Sequence, residues 1–231
     1  MERVQTLVVT LGAALWLMTT GAQGVAQDLQ TVVEGVQARY QQTHFFQARF
    51  RQTSVLASLG ERLESAGRVY IRKPGMMRWE YEGPERQLLV SDGLSFWVYT
   101  PKLKQVIASR FGETFRSKTP LAFLAGNGDI RREFNVRFRE KRPEAGNGAP
   151  ALHRLSLIPK KPHPSLKELR LDVRKEDYLI VRSSLIDPYG NVTDIQFENI
   201  RVDEALPQDL FTFRIPPGVE VVHPPPTPGS R

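Results

Sequence analysis

Catalysis of the familiar kinds needs nucleophiles, bases or metal ligands at set spacings, and this chain supplies few. It has no cysteine, which removes a thiol nucleophile, a thiolate metal site and a disulfide framework together. Its four histidines (His44, His153, His163 and His223) form no HxxxH pair, and His163 stands between two prolines, as in a loop. No GxSxG nucleophile turn and no phosphate-binding lysine loop is present; Gly126-Asn127-Gly128 and Gly146-Asn147-Gly148 read as turns. Paired carboxylates could still be assembled from distant strands. The sequence otherwise reads as a non-enzyme without cofactor or metal. What it does supply is large apolar side chains in patterned runs, including Phe46, Phe50, Met77, Trp79 and Phe96, and Leu121, Phe123 and Leu124 after Pro120. Their chemistry is burial, either as ordinary core or around an apolar ligand.

The elements that position these residues follow from hydrophobic period. From Asp28 to Gln42, Leu29, Val32, Val33, Val36 and Tyr40 recur on one face of a helix, with Asp28 placed to cap it. The period then drops to two. Phe46, Ala48 and Phe50 alternate with Gln47, Arg49 and Arg51; Val69 and Ile71 with Arg68 and Arg72; Met77, Trp79 and Tyr81 with Arg78, Glu80 and Glu82. Phe134, Val136 and Phe138, then Leu169, Leu171 and Val173, then Ile195 and Phe197 repeat the pattern, and Phe211, Phe213 and Ile215 close the series. In Leu94 to Thr100 both alternations are apolar, so the inward face there stays open. Turn signals at Lys73-Pro74-Gly75, Ser91-Asp92-Gly93, Lys175-Glu176-Asp177 and Asp187 to Asn191 separate the runs. Short spacers mean hairpins, hence about ten strands of one antiparallel sheet. Only two helices, the first and a short one over Thr119 to Ala125, are available to cover its apolar face. The sheet therefore closes into a barrel or stays partly open with helices across its mouth, and either form leaves room for a cavity.

The chain has 231 residues, 40% hydrophobic and 25% charged, which fits one globular domain. Residues 1–26 differ from the rest: Arg3 precedes an apolar stretch from Leu7 to Met18, and Gly24-Val25-Ala26 offers small residues for cleavage before Gln27. This reads as a secretory signal peptide, because the apolar run is shorter than the roughly 20 residues a membrane span needs. The expected organisation is a leader at 1–26, one domain at 27–223 and a disordered proline-rich tail at 224–231. The formal charge of +7 favours anionic partners. Yet the basic residues, among them Arg68, Arg72, Arg137, Arg139, Arg170 and Arg174, fall at alternate strand positions, as on a solvated sheet face. With export expected, nucleic acid is not an expected partner.

A set of motifs then adds to this reading. Phe46-Gln-Ala-Arg-Phe50-Arg-Gln52 follows the first helix. Gly67-x-Val-Tyr-Ile-Arg-Lys73-Pro74-Gly75-x-Met-Arg78-Trp79-x-Tyr81 comes next, then Leu89-Val-Ser-Asp-Gly93 and Phe96-Trp-Val-Tyr99-x-Pro101. Thr119-Pro120-Leu-Ala-Phe-Leu-Ala125 and Phe211-Thr-Phe-x-x-Pro-Pro-Gly-Val219 complete it. In this order and spacing the set resembles the LolA lipoprotein carrier family across most of the chain. The resemblance implies an incomplete β-barrel whose apolar concave face lies under a lid of helices. It implies a periplasmic, monomeric shuttle that takes triacylated lipoproteins from an inner-membrane Lol ABC transporter to the outer-membrane acceptor LolB. That acceptor is itself normally a lipoprotein, so the missing cysteine favours the carrier. The family's lid-holding basic residue, commonly Arg, falls on Lys73, a single rotatable charge in place of a planar fork. Its bulky cavity residue falls on Met77, and Trp79 matches directly. Tyr40 and Phe46 match the first lid helix and first strand, and Leu121, Phe123 and Leu124 the second lid segment. A periplasmic sensor of related fold is the alternative, although such sensors usually carry a second domain.

Overall fold

In a computed structural model, residues 20–114, 128–139 and 151–223 are described, with backbone alone at 20–27 and 113–114. Leader residues 1–19, the expected helix at 119–125 with Leu121, Phe123 and Leu124, the Gly/Pro-rich loop at 142–150 and the tail at 224–231 lie outside the described residues.

The described residues form one sheet of twelve strands. These are β1 Phe45–Leu56, β2 Glu61–Arg72, β3 Met76–Glu82, β4 Gln87–Asp92, β5 Ser95–Thr100, β6 Gln105–Arg110, β7 Phe134–Phe138, β8 Leu152–Pro159, β9 Glu168–Arg174, β10 Ile180–Ile186, β11 Val192–Val202 and β12 Glu220–Val222. Consecutive strands pair as hairpins within β1–β6 and within β7–β11, and β1 pairs with β11 to join the two runs. The order is β12-β6-β5-β4-β3-β2-β1-β11-β10-β9-β8-β7, with β12 and β7 left as edges. The sheet is therefore an incomplete barrel, mainly antiparallel. Two expectations need correction. The described residues hold twelve strands rather than about ten, and β12 runs parallel to β6, with Glu220 opposite Gln105.

The last strand expected from sequence is absent. Gln208–Phe211 is a 3-10 turn, and Phe213 and Ile215 belong to no strand. Alternation in Phe211-Thr-Phe-Arg-Ile suggested a strand, but Pro207 and Pro216-Pro217 bracket it and withhold backbone donors from any ladder. The segment instead crosses the outer face. Phe211 is buried, Phe213 lies 5.9 Å from both Trp97 and Tyr99, and the Arg78 guanidinium donates to the Leu210 carbonyl at 3.2 Å. This settles the face of β5: Phe96 and Val98 join the concave core, and Trp97 and Tyr99 point outward under Phe213.

The first helix, α1, spans Thr20–Gln42. It begins eight residues before Asp28, which lies inside the helix and is not its cap; helix-compatible residues such as Ala22, Gln23 and Ala26 carry the backbone pattern back past it. Its stripe of Val32, Val33, Val36 and Tyr40 is buried against the concave face. Thr43 ends the helix, its amide and hydroxyl both donating to the Arg39 carbonyl, at 3.0 and 2.8 Å. Two single-turn helices follow, α2 at Phe111–Thr114 and α3 at Ile130–Glu133. Asp129 caps α3 by accepting from the Arg132 amide at 3.0 Å.

Outward residues of β8–β11, with Arg139 just past β7, form ion-paired rows, which accounts for part of the basic alternation. Arg170 meets Glu168 at 2.9 Å, Arg182 meets Asp194 at 2.8 Å, and Arg139 meets Asp172. Hydrogen bonds from Arg170 and Ser156 hold the Glu168 carboxyl below its usual range, against the opposing effect of burial. Asp177 is held low by Arg174. A carboxylate with a depressed folded pKa adds stability above its unfolded value, about 4 for these side chains. That stability is lost as pH falls through the lower folded value. Urea unfolding should therefore give a plateau above about pH 5 and a fall below pH 4. Glu168→Gln should lower the plateau and flatten the fall.

Candidate functional site

Strand register assembles the site. Three rows run across β1, β2 and β3 on the concave face: Phe46, Ile71 and Met77; Ala48, Val69 and Trp79; Phe50, Gly67 and Tyr81. On one side, β11 places Phe197 opposite Phe50; on the other, β4 places Leu89 opposite Trp79 and Ser91 opposite Met77, with Phe96 of β5 opposite Ser91. Period two alone puts these residues on one face, and the pairing of β1 with β11 brings the two halves of the sheet together around them.

The rings pack edge to face and tilted, as aromatic quadrupoles prefer. Phe50 lies 4.9 Å from Trp79 and 5.0 Å from Tyr81, and Phe197 lies 5.8 Å from Phe46 and 6.3 Å from Trp79. Met77 is 0% exposed, Phe50 1% and Trp79 2%. Gly67 is required by this packing: a Cβ there would stand 1.9 Å from the Glu80 carbonyl oxygen and 2.9 Å from the Phe50 ring.

Helix α1 shares one buried core with these rows and is held at Tyr40 from both halves of the sheet. The Lys73 ammonium, in the turn between β2 and β3, donates to the Tyr40 carbonyl. The Ile180 amide, at the start of β10, donates to the Tyr40 hydroxyl at 3.1 Å. Burial pushes that hydroxyl far above its usual pKa, so it stays neutral. Burial also lowers the Lys73 pKa, and Asp203 opposes that shift. Asp203 meanwhile accepts from the His44 amide at 2.8 Å, fixing the exit of α1. Midway along α1, Gly35 lets the Tyr178 ring approach so closely that a Cβ would lie 2.6 Å from it. Gln37 ties α1 to α3, accepting from the Ile130 amide at 3.0 Å and donating to the Gly128 carbonyl at 3.1 Å.

Of the residues singled out by sequence, Tyr40, Phe46, Phe50, Met77, Trp79 and Phe96 meet in one core, and Lys73 reaches α1 from its turn. Leu121, Phe123 and Leu124 lie outside the described residues. Sequence reasoning placed Phe197 and Tyr81 on an inward strand face but missed their place in the aromatic cluster. It missed altogether the contacts of Gly35 with Tyr178 and of Tyr40 with Ile180. Around Met77 and Trp79 the concave face is filled and covered rather than open. The arrangement can exclude water from these rows. Among the described residues no cluster of His, Asp and Glu is placed to hold a metal, and no helix is long and apolar enough to cross a membrane.

Comparison with known proteins agrees with this geometry. Residues 41–214 match the family model described as outer membrane lipoprotein carrier protein LolA. An outer-membrane lipoprotein carrier protein of Chromobacterium violaceum is 35% identical over 202 residues, 87% of this chain and 92% of that one. A protein of the same description from Pseudomonas paraeruginosa is 32% identical over 224 residues, 96% of this chain and 99% of that one. An uncharacterized conserved protein from Thermus thermophilus, of known structure, shares the fold with a TM-score of 0.53 at 17% identity, covering 86% of this chain and 100% of that one. The matched segment includes the aromatic rows, the Lys73 turn and the strap over the outer face, and on these matches the chain belongs to the LolA family of outer membrane lipoprotein carrier proteins.

Proposed function

We propose that this protein carries lipoproteins by sheltering their acyl chains against the concave face, with α1 as a movable cover. The observation that carries this is the meeting of Phe46, Phe50, Met77, Trp79 and Phe96 on one buried face that shares its core with a helix tied to the sheet at Tyr40. The physical need is plain. Burying a methylene is worth roughly 0.8 kcal/mol, so one chain of about sixteen carbons costs about 12 kcal/mol in water. A carrier must replace most of that and still release its cargo. On this reading the leader is cleaved near Ala26, residues 27–223 work in the periplasm, and the partners are an inner-membrane Lol ABC transporter and the acceptor LolB.

The test is to mix the purified protein with a triacylated lipoprotein in detergent, then dilute the detergent below its critical concentration. A soluble one-to-one complex is expected. If the lipoprotein precipitates equally with and without the protein, the carrier reading fails.

Lys73 is the proposed latch. Removing a charged donor from a half-buried hydrogen bond costs about 1.5–3 kcal/mol. Lys73→Met should therefore speed amide exchange in residues 36–42 by at least about tenfold, and more than in β9. Lys73→Arg should restore protection, because guanidinium also brings donors to the Tyr40 carbonyl. Equal exchange in all three proteins would remove Lys73 from this role.

A further inference from the structure

The Trp79 indole N–H is buried with no hydrogen-bond partner among the described residues, on a side chain 2% exposed. It sits in the middle of the concave face, in register with Val69 and Leu89 and packed against the Phe50 and Phe197 rings. Buried indole donors are normally satisfied, and each exception calls for a physical reason. Water is a poor one here, since a buried water needs two to four polar partners and these four neighbours are apolar. Nor does the fold require the donor: phenylalanine would fill a similar place with no polar atom to desolvate.

We propose that Trp79 is a specificity-determining residue whose indole N–H donates to a carbonyl oxygen of the bound lipid, an ester or amide at the head of an acyl chain. This rests on the carrier reading and deepens it. Pure hydrocarbon gives a cavity no register, because methylenes slide past one another at nearly equal energy. One donor fixed in an apolar wall sets the depth at which the polar head of one chain stops. Its desolvation is already incurred in the empty protein, so an arriving carbonyl gains the bond without that cost. The same donor favours acylated cargo over molecules with alkyl chains alone.

The experiment compares two synthetic peptides, one bearing an N-terminal cysteine with two ester-linked palmitoyl chains on its glyceryl group, the other the dihexadecyl ether twin. Titrated into the full protein, the ester peptide should bind roughly three- to tenfold more tightly than the ether. The Trp79 indole proton, assigned by its loss in Trp79→Phe, should move downfield with the ester and not with the ether. Trp79→Phe should bind both peptides alike. Benzothienylalanine at position 79, which keeps the bicyclic shape and lacks the N–H, should do the same and separates the bond from packing. If both peptides bind the unaltered protein equally and the indole proton does not move, the proposal is overturned while the carrier reading stands. If neither peptide binds, both fall together.

Discussion

Met77→Glu is expected to abolish the soluble lipoprotein complex and to cost the empty protein about 3–5 kcal/mol at pH 7, the penalty of an unpaired buried charge. Met77 is fully buried on β3, between Ile71 and Ser91 in the concave row. A carboxylate there can be hydrated only if α1 lifts, or it must take up a proton. Burial raises its folded pKa above the unfolded value of about 4.3. The sign then follows: the variant is least stable above its raised pKa and regains stability as pH falls toward 4.3. The unaltered protein stays on its plateau over this range, so the gap between the two should narrow from pH 7 to pH 5 as the variant regains stability. Urea unfolding at both values measures it. Met77→Leu, similar in volume, should stay within about 1.5 kcal/mol and keep its cargo.

Gly67→Ala is the second large effect. Its Cβ would stand 1.9 Å from the Glu80 carbonyl oxygen, a backbone atom, and 2.9 Å from the Phe50 ring. The flexible end of a side chain could give way, but here the pairing of β2 with β3 must spread. That moves Tyr81 and Trp79 as well, because both are carried by β3. The expected loss is about 3 kcal/mol, seen as a fall in Tm of roughly 10 °C for a domain of this size. Gly112→Ala is the control, since nothing lies within 4 Å of a Cβ there. It should change stability by less than about 0.5 kcal/mol.

The sequence made the faces legible but left the closure of the site hidden. Alternation named Phe46, Phe50, Met77 and Trp79 as inward, and the structure buries all four. The reason is local, since a strand's period is set by its own backbone. Pairing of β1 with β11 is not local; it joins residues far apart in the chain, as in Phe50 with Phe197, and no pattern within either strand announces it. The same holds for Ile180 on the Tyr40 hydroxyl. Where the reading went astray, a local pattern met a stronger constraint. Phe211 to Ile215 alternates like a strand, but the flanking prolines and the outward aromatic pair Trp97 and Tyr99 make it a strap. Asp28 resembles a cap, but capping preference does not start a helix when residues before it also suit one. The orphan Trp79 donor is beyond any sequence pattern, because an unsatisfied group is defined by what fails to surround it.

Cross-linking tests most directly whether cargo lies on the concave face. Photoreactive benzoylphenylalanine would be placed at Phe96, inward on β5, and at Tyr99, outward on the same strand, and loaded with a lipoprotein carrying radiolabelled acyl chains. Labelled adducts from position 96 and none from position 99 are expected. Adducts from position 99 alone, or equal labelling of both, would place the lipid outside the barrel and contradict a carrier that works by sheltering acyl chains beneath α1.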